Sequence, residues 1–191
     1  MTEKKYQRYF DLAGKASFEN WELYQEKFQP TDFPRLRTER LLIRPVLEQD
    51  AADIFEIRGD PDTADWAAVP CMKSIEDAKE YIAQHTEYGR GLSLVLGDEV
   101  IGLIEFYTDN ELSDDFMGYY MKKSHRCKGY MTESLTALRK KWTDEGEEIP
   151  MLWIFPDNFA SVRVAQKSGW TYLGSHIMDV NCLNQLVVLY K

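Results

Sequence analysis

The stretch from Phe116 to Ser134 constrains this chain more than any other. An apolar run, Phe116 to Met121, passes through Lys122, Lys123, Arg126 and Lys128 to Gly129; apolar residues then recur at Met131, Leu135, Leu138 and Trp142. The first run reads as a strand, and the second spacing follows one face of a helix that ends at Gly146. A strand that enters a helix through a short basic turn is a building unit of layered α/β folds. The head of such a helix presents unsatisfied backbone N–H groups and the positive end of the helix dipole, so phosphates bind there readily. Gly129 lets the backbone approach a diphosphate without a Cβ in the way, and Arg126 and Lys128 add charge. The plainer reading of the same residues is a solvated basic loop before an ordinary helix.

Charge sharpens this. The chain of 191 residues has net charge −9, which argues against general nucleic-acid binding. Between Met121 and Lys141, however, stand seven Lys/Arg and one acid, Glu133. A basic island in an acidic protein points to one local anionic ligand. Hydrophobic residues make up 44% of the chain, and a chain of this length buries about 70% of its surface on folding, so the core needs neither a disulfide nor a structural metal. Cys71, Cys127 and Cys182 read as free thiols of a reducing compartment. No apolar leader follows Met1 and no run approaches the ~18 residues of a membrane span, so a cytoplasmic protein without membrane attachment is expected. His85, His125 and His176 do not fall at zinc spacing with the cysteines, and no metal is expected. Neither a nucleotide-binding G-x-x-x-x-G-K-[ST] loop nor a G-x-S-x-G nucleophile turn occurs.

Along the chain, residues 1–35 read as a helical extension and linker, with Phe18, Trp21 and Phe28 on one helical face. Residues 36–191 read as one domain. Leu41–Val46 is a strand; Ala51, Ile54, Phe55 and Arg58 share a helical face up to Gly59; the Gly59–Cys71 segment is a loop. Ser74 and Asp77 open a helix in capping-box fashion, with Ala78, Tyr81, Ile82 and His85 on one face and a stop near Gly89. Leu92–Leu96 and Val100–Tyr107 form a hairpin about Gly97-Asp98, followed by a strand over Phe116–Met121. Met151–Phe155 is a strand and Asn158–Ser168 a short helix closed by Gly169. Strands near Tyr172–Val180 and Gln185–Tyr190 finish the chain. The order β-α-α-β-β-β-α-β-α-β-β predicts an α/β fold on a mixed, mostly antiparallel sheet with helices on both faces and a parallel crossover at the third helix.

Two segments carry a resemblance. Arg126-Cys127-Lys128-Gly129-Tyr130-Met131 resembles the Q/R-x-x-G-x-G/A loop of the GCN5-related N-acetyltransferase (GNAT) superfamily, and Asn158-x-x-Ser161 with Lys167-Ser168-Gly169-Trp170 resembles its Asn-x-x-Ser…Lys-x-Gly-Phe element. The opening Thr38-Glu39-Arg40-Leu41-Leu42-Ile43-Arg44-Pro45 is similar to the branch of ribosomal-protein alanine N-acetyltransferases. Together these cover about residues 37–191. The resemblance implies acetyl-CoA as cosubstrate, held by the backbone of Tyr120 and Met121 and by Arg126, Cys127, Lys128, Gly129, Tyr130, Met131 and Asn158. It implies direct transfer to a primary amine in a ternary complex, without an acyl-enzyme. The chain departs from the pattern at Cys127, where Gly is common, at Met131, and at Ala165, where many members carry a tyrosine acting as general acid. An alternative on the same fold is therefore a non-catalytic acyl-CoA-binding or regulatory module.

The chemistry requires a free amine, a stabilised oxyanion and a proton for the leaving thiolate. With Ala165 inert, Ser161 is the expected donor, and Asn158 orients pantetheine or a water while also capping its helix. Glu105 is the expected base; its plain alternative is an outward-facing strand residue, and a water chain would serve equally. Asp109, Glu111, Asp114 and Asp115 read as a solvated turn able to attract a cationic amine. Trp66 reads equally as an acceptor-pocket or a packing residue. Arg139, Lys140 and Lys141 form a solvated helix face or meet the 3′-phosphate of CoA. A cationic acceptor, either a protein N-terminus or a small amine, is expected, on a monomer or homodimer.

Overall fold

The computed structural model describes residues 35–87, 90–109, 114–180 and 183–191. The expected extension over residues 1–35 lies outside these apart from Arg35, as do Gly89, Glu111 and Cys182. The elements are β1 (Leu36–Arg37), β2 (Leu42–Pro45), α1 (Ala51–Arg58), α2 (Pro61–Ala67), α3 (Ile75–Glu87), β3 (Gly91–Leu96), β4 (Glu99–Asp109), β5 (Asp114–Met121), α4 (Tyr130–Glu145), β6 (Leu152–Ile154), α5 (Phe159–Lys167), β7 (Tyr172–Asp179) and β8 (Asn184–Tyr190).

The strands form two antiparallel sheets, β1-β2-β3-β4-β5 and β6-β8-β7. Among the described residues they meet at one parallel bridge, where Phe116 stands opposite Met151. The Met117 amide donates to Met151 O at 2.9 Å and the Met151 amide to Asp115 O at 2.8 Å. The parallel crossover expected at α4 is thus present but only one bridge long.

Each helix follows its apolar face. On α4, Leu135 and Leu138 are fully buried and Met131 and Trp142 nearly so. They join Ile104, Met117, Leu152, Ile154 and Ala165 in a core that holds α4 and α5 against one side of the sheets. Val46, Ile54, Ile57, Ala78, Tyr81 and Leu103 form a second core on the opposite side, under α1 and α3. Each fully buried aliphatic side chain contributes about 1.5–3 kcal/mol. Gly146 ends α4 in the left-handed region at φ 70°, as its position past the last apolar residue requires.

Two expectations need correction. The Gly59–Cys71 segment is not all loop: α2 starts there, with the Asp60 side chain accepting from the Asp62 amide and Pro61 in the first turn. An Asp-Pro pair is a helix-start signal, because Asp caps and Pro has no amide to leave unsatisfied. The acidic turn is also shorter than expected, since Asp109 and Asp114 are already paired across β4 and β5 and Asp115 lies within β5.

Candidate active site

The backbone pairing of β5 with the chain leading into β6 stops at Met117, and the gap beyond it is the candidate cleft. Along β5 the backbone alternates: the Lys122 amide, just past its end, donates to Ile101 O at 2.8 Å, on the β4 side, whereas the Met117 amide points to β6. The unbroken β4–β5 register extends that alternation, so Gly118 and Tyr120 turn their amides to β4, and Tyr119 and Met121 turn theirs to the β6 side. Among the described residues, β6 accepts from no amide of β5 beyond Met117. The backbone groups that face the cleft are therefore those of Tyr119 and Met121, which moves half of the sequence expectation from Tyr120 to its neighbour. The Met121 carbonyl already accepts from Arg126 Nε at 3.1 Å.

The turn from β5 into α4 is fixed by charge. Lys122 is buried and pairs with Asp53, Glu56 and Glu99 at 2.8–2.9 Å. Burial pushes against its ammonium, but these three carboxylates outweigh it and raise its pKa. Lys123 reaches Asp62 at 2.8 Å. Arg126 reaches Asp60 at 2.5 Å and Thr63 Oγ1 at 2.8 Å. Lys122, Lys123 and Arg126 are thus neutralised, largely from α1 and α2, and the net charge of the turn is not what a ligand meets. Lys128 is exposed, and no ion pair involves it among the described residues. What remains for an anion is backbone. Cys127 and Gly129 are both exposed and lie in the left-handed region, at φ 62° and 80°, and Gly129 is the N-cap of the 16-residue α4. The amides of Tyr130 and Met131 follow in the first helical turn, where no intrahelical acceptor exists.

Arg40 and Glu133, which the sequence reading left aside, brace this turn from the β1–β2 loop. Glu133 accepts from Arg40 Nε at 2.6 Å, from the Arg40 amide at 2.9 Å and from Thr38 Oγ1 at 2.5 Å. Arg40 Nη1 also donates to Lys128 O at 3.1 Å, and its guanidinium covers the Tyr130 ring. On the far side of α4, Arg139 stacks over Trp170 and Lys140 pairs with Asp144, so this is not the wholly solvated face expected.

Across the cleft stands the first turn of α5. Asn158 caps it, Oδ1 accepting from the Ser161 amide at 3.2 Å. Tyr119 spans from β5 to this turn, its hydroxyl donating to Ser161 O at 3.0 Å. Ala165 is fully buried one turn further on.

On the other face of β5, Glu105 is not the outward-facing residue that its alternative reading allowed. Its side chain is 12% exposed and lies beside Arg58 Nη1 at 3.2 Å. Tyr81 and Tyr120 donate to its two oxygens at 2.6 and 2.8 Å. Gly118 stands directly opposite Glu105 in the register, and its missing side chain leaves room for the Tyr120 hydroxyl to fold back. Burial pushes the Glu105 carboxyl up, but Arg58, His85 and the two phenols together hold it below the usual range. Burial holds both phenols above theirs. Trp66, on α2, is 46% exposed, so it does not serve as a core residue. Among the described residues, no cluster of His, Cys, Asp or Glu is arranged to hold a metal ion.

A cleft between parting strands, with a helix head and a left-handed turn at its mouth, is what the acetyltransferase resemblance requires. The family model for the GNAT acetyltransferase domain matches residues 40–171. The chain belongs to the GNAT acetyltransferase family. It is 29% identical, over 135 residues, to the probable N-acetyltransferase YjcK of Bacillus subtilis, a match covering 65% of this chain and 71% of that one. A GNAT-family acetyltransferase structure from Bacillus anthracis superposes with a TM-score of 0.72 at 20% identity, covering 82% of this chain and 96% of the other. RimL, a ribosomal L7/L12 α-N-protein acetyltransferase solved with coenzyme A, does so with a TM-score of 0.64 at 18% identity, covering 80% and 93%. This GNAT protein is an acetyl-CoA-dependent N-acetyltransferase. Its residues fit that cosubstrate: the exposed turn Cys127–Gly129 and the first-turn amides of α4 that follow it suit a diphosphate, and the Tyr119 and Met121 amides suit an extended amide-bearing arm. Among the described residues, no helix is long and apolar enough to cross a membrane.

Proposed function

We propose that this GNAT protein transfers acetyl from acetyl-CoA to a primary amine by direct attack within a ternary complex. The observation that carries this reading is the parting of β5 from β6 beyond Met117, which leaves the Tyr119 and Met121 amides along a cleft leading from the head of α4. The diphosphate lies on the amides of Cys127, Lys128, Gly129, Tyr130 and Met131, with Lys128 beside it; Arg126 acts by fixing the turn. The bound thioester supplies the activated acetyl group. Asn158 holds the first turn of α5 and orients the pantetheine arm or a water, and the Ser161 hydroxyl hydrogen-bonds the departing sulfur.

The acceptor approaches from the Tyr120 face, bounded by α2 with its exposed Trp66. Glu105 already accepts from two phenols and stands against Arg58, so as a free base it is weak. We assign it the placing of Tyr120, and assign the amine's proton to water. The protein's net charge of −9 favours a cationic acceptor. The structural likeness to RimL, named for acting on a ribosomal protein's α-amino group, favours a peptide N-terminus over a small amine. The free thiols fit work in a reducing cytoplasm.

Calorimetry with CoA, joined to thiol-release assays using acetyl-CoA and an alanine-initiated basic peptide, spermidine and kanamycin, tests this. The expected result is CoA binding and turnover that is greatest with the peptide. Binding without turnover on any amine returns the reading to a binding module, and no binding removes the cleft assignment.

A further inference from the structure

β5 ends in adjacent tyrosines that point to opposite faces, and only one is engaged by the Glu105 cluster. Tyr120 donates to Glu105; Tyr119 packs into the core that contains Ala165 and carries its hydroxyl to Ser161 O. A helical side chain leans toward the N-terminus of its own helix, so a long residue at position 165 would lie over the Ser161 turn. That position holds a fully buried methyl instead, and the Tyr119 phenol reaches the same turn from the opposite element. Tyr119 also turns its amide toward the cleft. One residue therefore lines the cleft with its backbone and joins its two bordering elements, β5 and α5, with its side chain.

We propose that Tyr119 is the proton donor to the leaving sulfur, an inference that rests on the cleft being the path of the acyl donor. Tyr119 Oη gives its proton to sulfur as the carbon–sulfur bond breaks and that electron pair moves to sulfur. The nitrogen–carbon bond forms, and the amine's surplus proton passes to water. Solvent then reprotonates the phenolate, so Tyr119 ends as it began. A phenol, even one that burial raises above its ordinary value of about 10, is a stronger acid than a serine hydroxyl and so a better partner for a thiolate near 8.5. Burial raises the Tyr119 phenol above its ordinary range, which keeps it protonated at every working pH.

The test uses CoA as probe and needs no acceptor. The thiol of bound CoA is titrated by its ultraviolet thiolate absorbance in the wild type and in Tyr119→Phe, with calorimetry on both. A hydrogen bond to the thiolate favours that form, so the bound thiol's pKa is expected to rise by about one unit in the variant, while the Kd for CoA changes less than about threefold. In turnover with the peptide, kcat should fall about 100-fold with the KM for acetyl-CoA unchanged. An unchanged thiol pKa with kcat within about twofold overturns the assignment. A fluorinated tyrosine at 119 acidifies the phenol with little change in size and covers the case in which the phenylalanine variant misfolds. The bound thiol's pKa should then fall further, and no movement overturns the proposal. If the wild type binds no CoA, the cleft reading itself has failed and this inference falls with it. That result is distinct from one in which both proteins bind and behave alike.

Discussion

Two charged regions flank the end of β5, and they use the same kinds of side chain for different ends. In the Glu105 cluster an arginine, a glutamate and two tyrosines are taken out of water: the Arg58 and Glu105 side chains are 9% and 12% exposed. At the head of α4, Lys122 is buried but its partners are 30–60% exposed, and Arg126 is 32% exposed. The first region holds its charge where desolvation is costly and each partner depends on the other. The second works in contact with solvent, and its ion pairs tie a turn to α1 and α2 rather than face a ligand. A run of positive charge in a sequence is thus not yet a binding site. Its partners, supplied from 23 to 69 residues away, decide how much of it a ligand meets.

The contrast should show most strongly at Glu105. Glu105→Gln leaves Arg58 buried without a counter-charge, which costs about 3–5 kcal/mol, and the loss should be nearly independent of salt. Urea unfolding at low and high ionic strength checks both points, and a cost below about 1 kcal/mol would place the cluster with the solvated pairs. Acid adds a second handle. Because the folded carboxyl is held below its ordinary value, its contribution is fully present above the unfolded pKa of about 4.3 and is lost as pH falls through the folded one. The wild type should therefore lose stability over that acid window more steeply than Glu105→Gln does.

The effect at Arg126 should be smaller and of another kind. Arg126→Gln removes the link to Asp60 but leaves that carboxylate access to water, so the stability cost is about 1 kcal/mol and shrinks in high salt. Its larger consequence should be on CoA, whose Kd is expected to rise about three- to tenfold as the turn loosens, since about 1 kcal/mol of lost ordering corresponds to that range. Calorimetry that finds an unchanged Kd would show the turn to be held by Lys122 and Arg40 alone.

The parts of the molecule that were legible in the sequence are those written in local pattern. The heptad-like spacing Met131, Leu135, Leu138, Trp142 with Gly146 gave α4 nearly to the residue, Ser74 with Asp77 opened α3, and Gly97-Asp98 placed the β3–β4 hairpin. The Asp60-Pro61 pair at the start of α2 is a signal of the same local kind. What local pattern does not carry is pairing across distance. That Lys122 meets Asp53, Glu56 and Glu99, or that Glu105 faces inward beneath Tyr81, depends on how α1 and α3 pack on the sheet. The roles of Tyr119 and Tyr120 lie between these cases. Strand alternation sends neighbouring side chains to opposite faces, but which of the two backbones faces the cleft needed the single bridge at Met151.

The smallest effect concerns the backbone of the turn. Cys127 is exposed and sits at φ 62°, where a Cβ crowds the following carbonyl, at a cost of about 1–2 kcal/mol. Glycine would remove that strain but loses about 0.5–1 kcal/mol through its freer unfolded chain. Cys127→Gly should therefore stabilise the protein by about 0–1.5 kcal/mol, equivalent to a Tm rise of no more than about 6 °C for a chain of this size. The Kd for CoA should stay the same or tighten, because the amide that meets the diphosphate keeps its direction and loses only an adjacent side chain. A lower Tm would mean that the thiol contributes contacts outweighing the strain. A weaker Kd with an unchanged Tm would mean that the cysteine side chain itself touches the ligand, and the turn would then bind through more than its backbone.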